Sequence, residues 1–244
     1  INYNYSKKNF CNNESDIKKM SKTALIIGAG SGISGAFAIE LADEGYSVCL
    51  ACRNTDKLKD LSAKISASTF KTDCSKEESI LHLFDYFDVN FGIPDLVLYN
   101  CGSRVRGKVH EIDRGQAADS FKVNINGAFT VAQEASKRMI AAKRGAIFFT
   151  GATASIKGFP GSSIFAMGKF AIRGLAQSLY RELSPLGIHV AHFVIDGAVD
   201  KGVQLHDSEK LTSEAIAKTY MSVLKQPKQA WTHEIELRTF VEKF

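Results

Sequence analysis

The run Gly28-Ala29-Gly30-Ser31-Gly32-Ile33-Ser34-Gly35 stands directly after a short apolar stretch and directly before an amphipathic one. Glycines in that setting let the backbone come against a ligand, and amides at the start of the following helix meet negative charge. The chemistry this serves is recognition of the pyrophosphate at the centre of a dinucleotide. Gly30, Gly32 and Gly35 spell G-x-G-x-x-G, while Gly28 and Gly32 belong to a second register in which Ser34 takes the place of the last glycine. Gly28, Gly30, Ser31, Gly32 and Ile33 are therefore the residues expected around the phosphates. The next apolar run ends at Ala51-Cys52 with no carboxylate to accept from ribose hydroxyls, and Arg53 follows. A guanidinium there pairs with the 2′-phosphate of NADP, so NADP(H) is expected over NAD(H). The competing reading of Arg53 is a solvent-facing residue that opens a helix.

Other reactive residue types give less. The five cysteines, Cys11, Cys49, Cys52, Cys74 and Cys101, are odd in number and come without a secretion signal, which fits a reducing cytoplasm. Cys49 and Cys52 spell C-x-x-C inside an apolar run, where residues three apart face opposite sides of a strand, so buried structural thiols are expected and no metal site. His189 and His192 flank a buried strand and His233 begins the last one, so core or strand-end roles are expected for them. His206 lies in a segment over 200–209. The formal net charge of +5 includes +2 from the first twenty residues, and the remaining basic residues, among them Arg53, Arg104, Arg106 and Arg138, are scattered. Nucleic acid is not an expected partner, and no apolar run approaches the roughly 20 residues of a membrane span.

Positioning such a loop requires a sheet. From Lys22 onward, apolar runs of strand length alternate with amphipathic segments, the pattern of a parallel sheet covered by helices on both faces. Seven strands are expected, over 23–27, 47–51, 69–71, 95–99, 146–150, 189–195 and 234–237. Ile33, Phe37 and Leu41 share one face of the first helix, which stops near Gly45. Two longer helices are expected over 124–143 and 164–183. The expected fold is α/β, a single Rossmann-type doubly wound domain over 21–244. Residues 1–20 are expected to form a disordered polar arm, and Met20 reads as a natural start.

Further short blocks then fall in the order and spacing of the short-chain dehydrogenase/reductase family, and from about Lys22 to the C-terminus the chain resembles that family. Asp73-Cys74 resembles its adenine-contacting Asp-Val pair, and Asn100-Cys101-Gly102 its Asn-Ala-Gly. Asn124 matches the helix asparagine that supports a water linked to the active-site lysine. Lys169 matches that lysine, which bonds the nicotinamide ribose, and Asp196-Gly197-Ala198-Val199 resembles Pro-Gly-x-Val, with Asp196 replacing proline and Lys201 standing where a threonine often contacts the cofactor. The resemblance implies contacts to a nicotinamide dinucleotide from Asp73, Cys74, Asn100, Gly102, Lys169 and Val199, and a homodimer or homotetramer built on the two long helices.

Two catalytic positions depart from the family. The tyrosine four residues before the lysine is Phe165, and the serine about thirteen residues further upstream is Ala152. Blocks such as Phe149-Thr150-Gly151-Ala152 and Ala230-Trp231-Thr232-His233-Glu234 are similar to a divergent bacterial branch, labelled only as oxidoreductases, in which these replacements are ordinary. Tyrosine would give a proton to the developing alkoxide, and Phe165 keeps the ring without the proton. Ala152 removes a hydrogen bond to the substrate oxygen. The first reading is an NAD(P)-dependent oxidoreductase with a non-standard proton donor. Lys169, a water on an Asn124–Lys169 relay, Ser155, Ser162 and Ser163 are the candidates. The alternative is a dinucleotide-holding protein without turnover, acting as redox sensor or partner subunit; a purely structural protein leaves the glycine loop unexplained. If Phe159, Ile164 and Phe165 line a substrate site, it is compact and apolar, though an aromatic cluster is more often simply core.

Overall fold

The computed structural model describes residues 21–200 and 210–241. The arm over 1–20, Lys201 and His206 lie outside the described residues.

The chain runs β1 (Thr23–Ile27), α1 (Ile33–Asp43), β2 (Ser47–Cys52), α2 (Lys59–Ile65), β3 (Ser68–Lys71), α3 (Glu77–Phe91) and β4 (Leu96–Tyr99). It continues through α4 (Arg114–Phe121), α5 (Ala128–Ala142), β5 (Gly145–Thr150), α6 (Ser163–Leu183) and β6 (Ile188–Asp196). Two two-residue strands, β7 (Val199–Asp200) and β8 (Leu211–Thr212), pair with each other before α7 (Ser213–Leu224) and β9 (Glu234–Arg238). The main sheet has seven parallel strands in the order β3-β2-β1-β4-β5-β6-β9. Strand order reverses between β1 and β4, and in such sheets ligands bind at the carboxyl ends of the strands beside that reversal.

Both faces of the sheet are buried, and alternate strand residues feed two cores. Ala24, Ile26, Leu50, Leu98, Phe148 and Phe193 pack with Phe37 and Leu41 of α1 and Tyr220 of α7. Leu25, Ile27, Val97, Tyr99 and Phe149 pack with Phe84 and Phe87 of α3, Val131 of α5 and Ile172 of α6. Cys49 and Cys52 fall in opposite cores, as their spacing on β2 requires, and both are free thiols. The Cys49 thiol is pushed up to about 12 by burial, so it is inert.

All seven expected strands are present, with ends that differ by a residue or two. The helix expected to begin at Asn124 does not. Helical structure begins at Arg114, where the Asp113 carboxylate accepts from the Gln116 amide at 2.8 Å, and Asn124 lies in a wider π turn, Lys122–Gly127, between α4 and α5. The turn is set by contacts from the sheet. The Tyr99 hydroxyl donates to the Val123 carbonyl at 2.5 Å, and a Cβ on Gly127 would lie 2.3 Å from the Cys74 carbonyl oxygen.

Candidate active site

The glycine loop leaves β1 through Gly28, whose φ is +83° and whose added Cβ would stand 2.7 Å from the Cys101 amide nitrogen. Both demands exclude a side chain: the backbone turns left-handed there, and the end of β4 presses against it. Gly35 is required for another reason, since its Cβ would meet the Gly30 carbonyl oxygen at 2.5 Å. Gly30, by contrast, faces open space. The second register is the one whose replaced glycine carries a function of its own. The buried Ser34 hydroxyl accepts from the Gly30 amide at 3.0 Å and lies 3.4 Å from the Gly28 and Gly30 carbonyls, tying the loop to the first turn of α1. The amides that begin a helix have no internal carbonyl to bond, and here they follow directly from the loop.

Beside this loop lies a cavity of about 620 Å³ lined by Gly28, Ala29, Arg53, Asp73, Cys74, Asn100 and Gly102, with Asn54 and Lys57 on the same wall as Arg53. Residues from the ends of β1, β2, β3 and β4 thus meet in one cleft within the roughly 300–1,000 Å³ of ordinary small-molecule sites. Asp73 accepts from the Ser75 amide at 3.0 Å and hydroxyl at 2.8 Å, and those bonds hold its carboxyl below the usual range. The Asn100 amide group donates to the Gly28 carbonyl at 3.2 Å, locking the loop to β4. Cys74 and Cys101 place their sulfurs 3.2 Å apart. A dinucleotide fits these residues: a side-chain-free backbone faces open space next to a helix start, and two cations stand on the wall beyond β2. Of the expected contacts, Gly30, Ser31, Gly32, Ile33 and Val199 do not line the cavity; Val199 of β7 pairs with Leu211 of β8 and packs against the core.

Behind Gly102, and not itself lining the cavity, stands Lys169. Its side chain is buried, 5% exposed, and its Nζ donates to the Thr150 carbonyl at 2.7 Å. A Cβ on Gly102 would lie 3.9 Å from that nitrogen and 4.0 Å from Asn124 Oδ1, so Gly102 links cleft, lysine and asparagine. Burial, reinforced by the Arg104 charge, brings the Lys169 ammonium down to about 8. Asn124 is fully buried and fully engaged. Its Oδ1 accepts from the Ser103 amide at 2.9 Å, and its Nδ2 donates to the Ser103 carbonyl at 2.8 Å and the Ser120 hydroxyl at 3.1 Å. It therefore holds the strand-end loop in place, and its backbone π turn brings α4 and α5 past Gly168, whose Cβ would strike the Asn124 Cβ at 2.6 Å.

A second cavity, of about 240 Å³, is lined by Arg104, Arg106, Ala152, Thr153, Phe159, Ser162, Phe165 and Gly197. Phe165 presents its ring and Ala152 its methyl where a hydroxyl pair would stand in the family pattern. Ser155 does not reach this space. It is fully buried in a 3₁₀ turn, where its hydroxyl accepts from the Ala152 amide at 3.1 Å. Ser163 is also turned inward, and Ser162 is the expected serine that lines the cavity. Ile164 is buried away from it, and the expected apolar site carries two arginines. The Arg104 guanidinium lies over the Phe165 ring, 4.3 Å from its centroid. Asp196 is spent on structure: it accepts from the Thr153 hydroxyl at 2.5 Å and pairs with Arg238 at 2.8 Å.

His189, His192 and His233 have structural roles. His189 bonds the Thr232 carbonyl at 2.9 Å and stacks on Trp231, His233 stacks on Tyr180, and the buried His192 bonds Glu234 at 2.9 Å while burial brings it down to about 4. Sequence reading missed Arg104, Arg106, Asn54 and Lys57 as site residues. The signal was there: Arg104 and Arg106 lie two apart just beyond Gly102, a spacing that puts both on one side of an extended chain.

The family model described as short chain dehydrogenase matches residues 22–210. An uncharacterized oxidoreductase of Staphylococcus aureus is 31% identical over 226 residues, spanning 89% of this chain and 96% of the relative. A short-chain dehydrogenase from Rhodopseudomonas palustris superposes with a TM-score of 0.78 at 31% identity, covering 90% of this chain and 99% of that one. An alcohol dehydrogenase from Thermococcus sibiricus, solved with 5-hydroxy-NADP, shares the fold with a TM-score of 0.81 at 24% identity, covering 91% and 98%. The chain belongs to the short chain dehydrogenase family, whose members are NAD(P)-dependent oxidoreductases. The oxidoreductase names of these relatives weigh against a subunit that only holds a dinucleotide.

Proposed function

We propose that the protein reduces a small carbonyl compound with a nicotinamide dinucleotide, NADP(H) in preference to NAD(H), and that Lys169 supplies the proton that tyrosine supplies elsewhere in the family. The observation that carries this reading is a buried ammonium, brought down to about 8, beside Gly102 where the dinucleotide cleft ends.

When bound, the dinucleotide supplies a hydride to the carbonyl carbon. Lys169 gives a proton to the oxygen, directly or through a water, and regains it from solvent. Burial favours the neutral amine that this leaves behind, so the group releases its proton near neutral pH, the condition for an effective general acid. The bond from Nζ to the Thr150 carbonyl fixes the ammonium on the end of β5. Until the proton moves, the same cation opposes the charge that develops on oxygen, a role Ala152 cannot take. Phe165 closes the wall against water. Arg53 and Lys57 favour the 2′-phosphate, since both line the cleft beyond β2. Homodimer or homotetramer formation belongs to the same reading. Phe129 and Ile140 on α5 and Phe170 on α6 are 54%, 43% and 44% exposed, an apolar face of the two long helices.

The test is titration of NADPH and NADH into wild type, Lys169→Met and the Ala152→Ser/Phe165→Tyr double variant, followed by a carbonyl panel. Wild-type turnover that Lys169→Met lowers at least about 100-fold is the expected result. Failure of the wild type to bind either dinucleotide overturns the reading, and so does turnover confined to the double variant.

A further inference from the structure

We propose that the second cavity recognises a carboxylate, and that the carbonyl substrate is a short oxo acid whose acidic group is held by Arg104 and Arg106; this rests on the oxidoreductase reading above. Both guanidinium-bearing residues line the same cavity as Phe165 and Ala152, the two positions that face the reacting group in the family pattern. Arg104 is held in a defined orientation, because its planar cation lies 4.3 Å over the Phe165 ring. With its central carbon over the ring, the cation keeps N–H groups for an acceptor, and a planar carboxylate matches a guanidinium edge with two parallel bonds.

Among the described residues that line the cavity there is no acid to answer this charge. Neither Arg104 nor Arg106 forms an ion pair among the described residues. Asp196, the acid at the end of β6, is occupied by Thr153 and Arg238 on its other side. The Lys169 charge, outside the cavity lining, is close enough to Arg104 for the two to oppose each other. An unanswered positive wall in a concavity concentrates anions. The volume is about 240 Å³, and beside the arginines the lining holds the apolar Ala152, Ala154, Phe159, Phe165 and Ile195 together with Thr153, Ser162 and Gly197. A short chain with one acidic end and one carbonyl fits both surfaces. A neutral ketone leaves two arginines unanswered.

The experiment compares kcat/KM for matched pairs, each a short 2-oxo acid and its methyl ester, with NADPH, in wild type, Arg104→Gln, Arg106→Gln and the double variant. Calorimetric titration of oxamate, a non-reducible carboxylate, runs in parallel with and without NADPH. Wild type is expected to favour acid over ester, each single variant to lower that ratio about 10- to 100-fold, and the double variant to abolish both the ratio and oxamate binding. Arg104→Lys keeps the charge without the fork and is expected to fall between wild type and Arg104→Gln. Circular dichroism melts confirm that the variants fold. Esters reduced as well as acids by the wild type, a preference for phosphate monoesters, or a ratio untouched in the double variant overturns the inference while leaving the oxidoreductase reading standing. No NADPH binding and no reduction of any compound overturns that reading instead.

Discussion

Replacing Lys169 with methionine is expected to change how stability depends on pH. The folded chain brings the Lys169 ammonium from its ordinary value of 10.5 down to about 8, chiefly by burial. Between those values the unfolded chain binds the proton and the folded one does not, so wild-type stability rises with pH across that window. The depression corresponds to about 3 kcal/mol of destabilisation at pH 7, shrinking to under about 1 kcal/mol by pH 10. Lys169→Met also leaves the Thr150 carbonyl without its partner, at a cost of about 1–3 kcal/mol that does not depend on pH. The two effects offset near neutrality, so a single-pH comparison decides nothing. The diagnostic quantity is the difference in unfolding free energy between wild type and variant, measured by denaturant titration without dinucleotide. It is expected to move by about 2–3 kcal/mol in favour of the wild type from pH 7 to pH 10. A difference that stays constant over that range refutes the claim that Lys169 is a buried, uncompensated cation.

Other changes test the cleft and its frame. Arg53→Ala is expected to weaken NADPH about 10- to 100-fold and NADH by much less, measured by fluorescence titration, because only the former has a 2′-phosphate to lose its partner. Gly28→Ala is expected to cost more than about 1 kcal/mol in chemical denaturation and to abolish dinucleotide binding, since it combines a φ of +83° with a 2.7 Å approach to Cys101. Ser34→Ala, which unties Gly30 from α1, is expected to weaken either dinucleotide while costing about 1 kcal/mol of stability, read in the same two assays. Phe129→Glu together with Phe170→Glu is expected to lower the mass measured by light scattering to that of one chain.

The nucleotide half of the site was legible because its causes are local. Gly28 to Gly35 lie within one turn, Arg53 follows β2 directly, and Asn100 and Gly102 follow β4, so the strand pattern alone brings them to one end of the sheet. The catalytic half was legible only through family resemblance, since nothing in the spelling of Phe165 to Lys169 marks a reacting group. What was missed depends on distant contacts. The π turn at Asn124 is imposed by Tyr99 and by the approach of Gly127 to Cys74, residues far from it in the chain. Ser155 faces inward because the 3₁₀ turn after β5 uses its hydroxyl as a cap. Arg104 and Arg106 read as scattered charge until the fold set one of them on Phe165.

The pH dependence of kcat/KM for carbonyl reduction tests the central claim most directly. With Lys169 as the acid, the wild-type value is expected to hold through neutral pH and to fall about tenfold per pH unit above about 8. The fall is expected to be absent from the residual activity of Lys169→Met. A wild-type profile that stays level through pH 10, or one shared by Lys169→Met, contradicts the account.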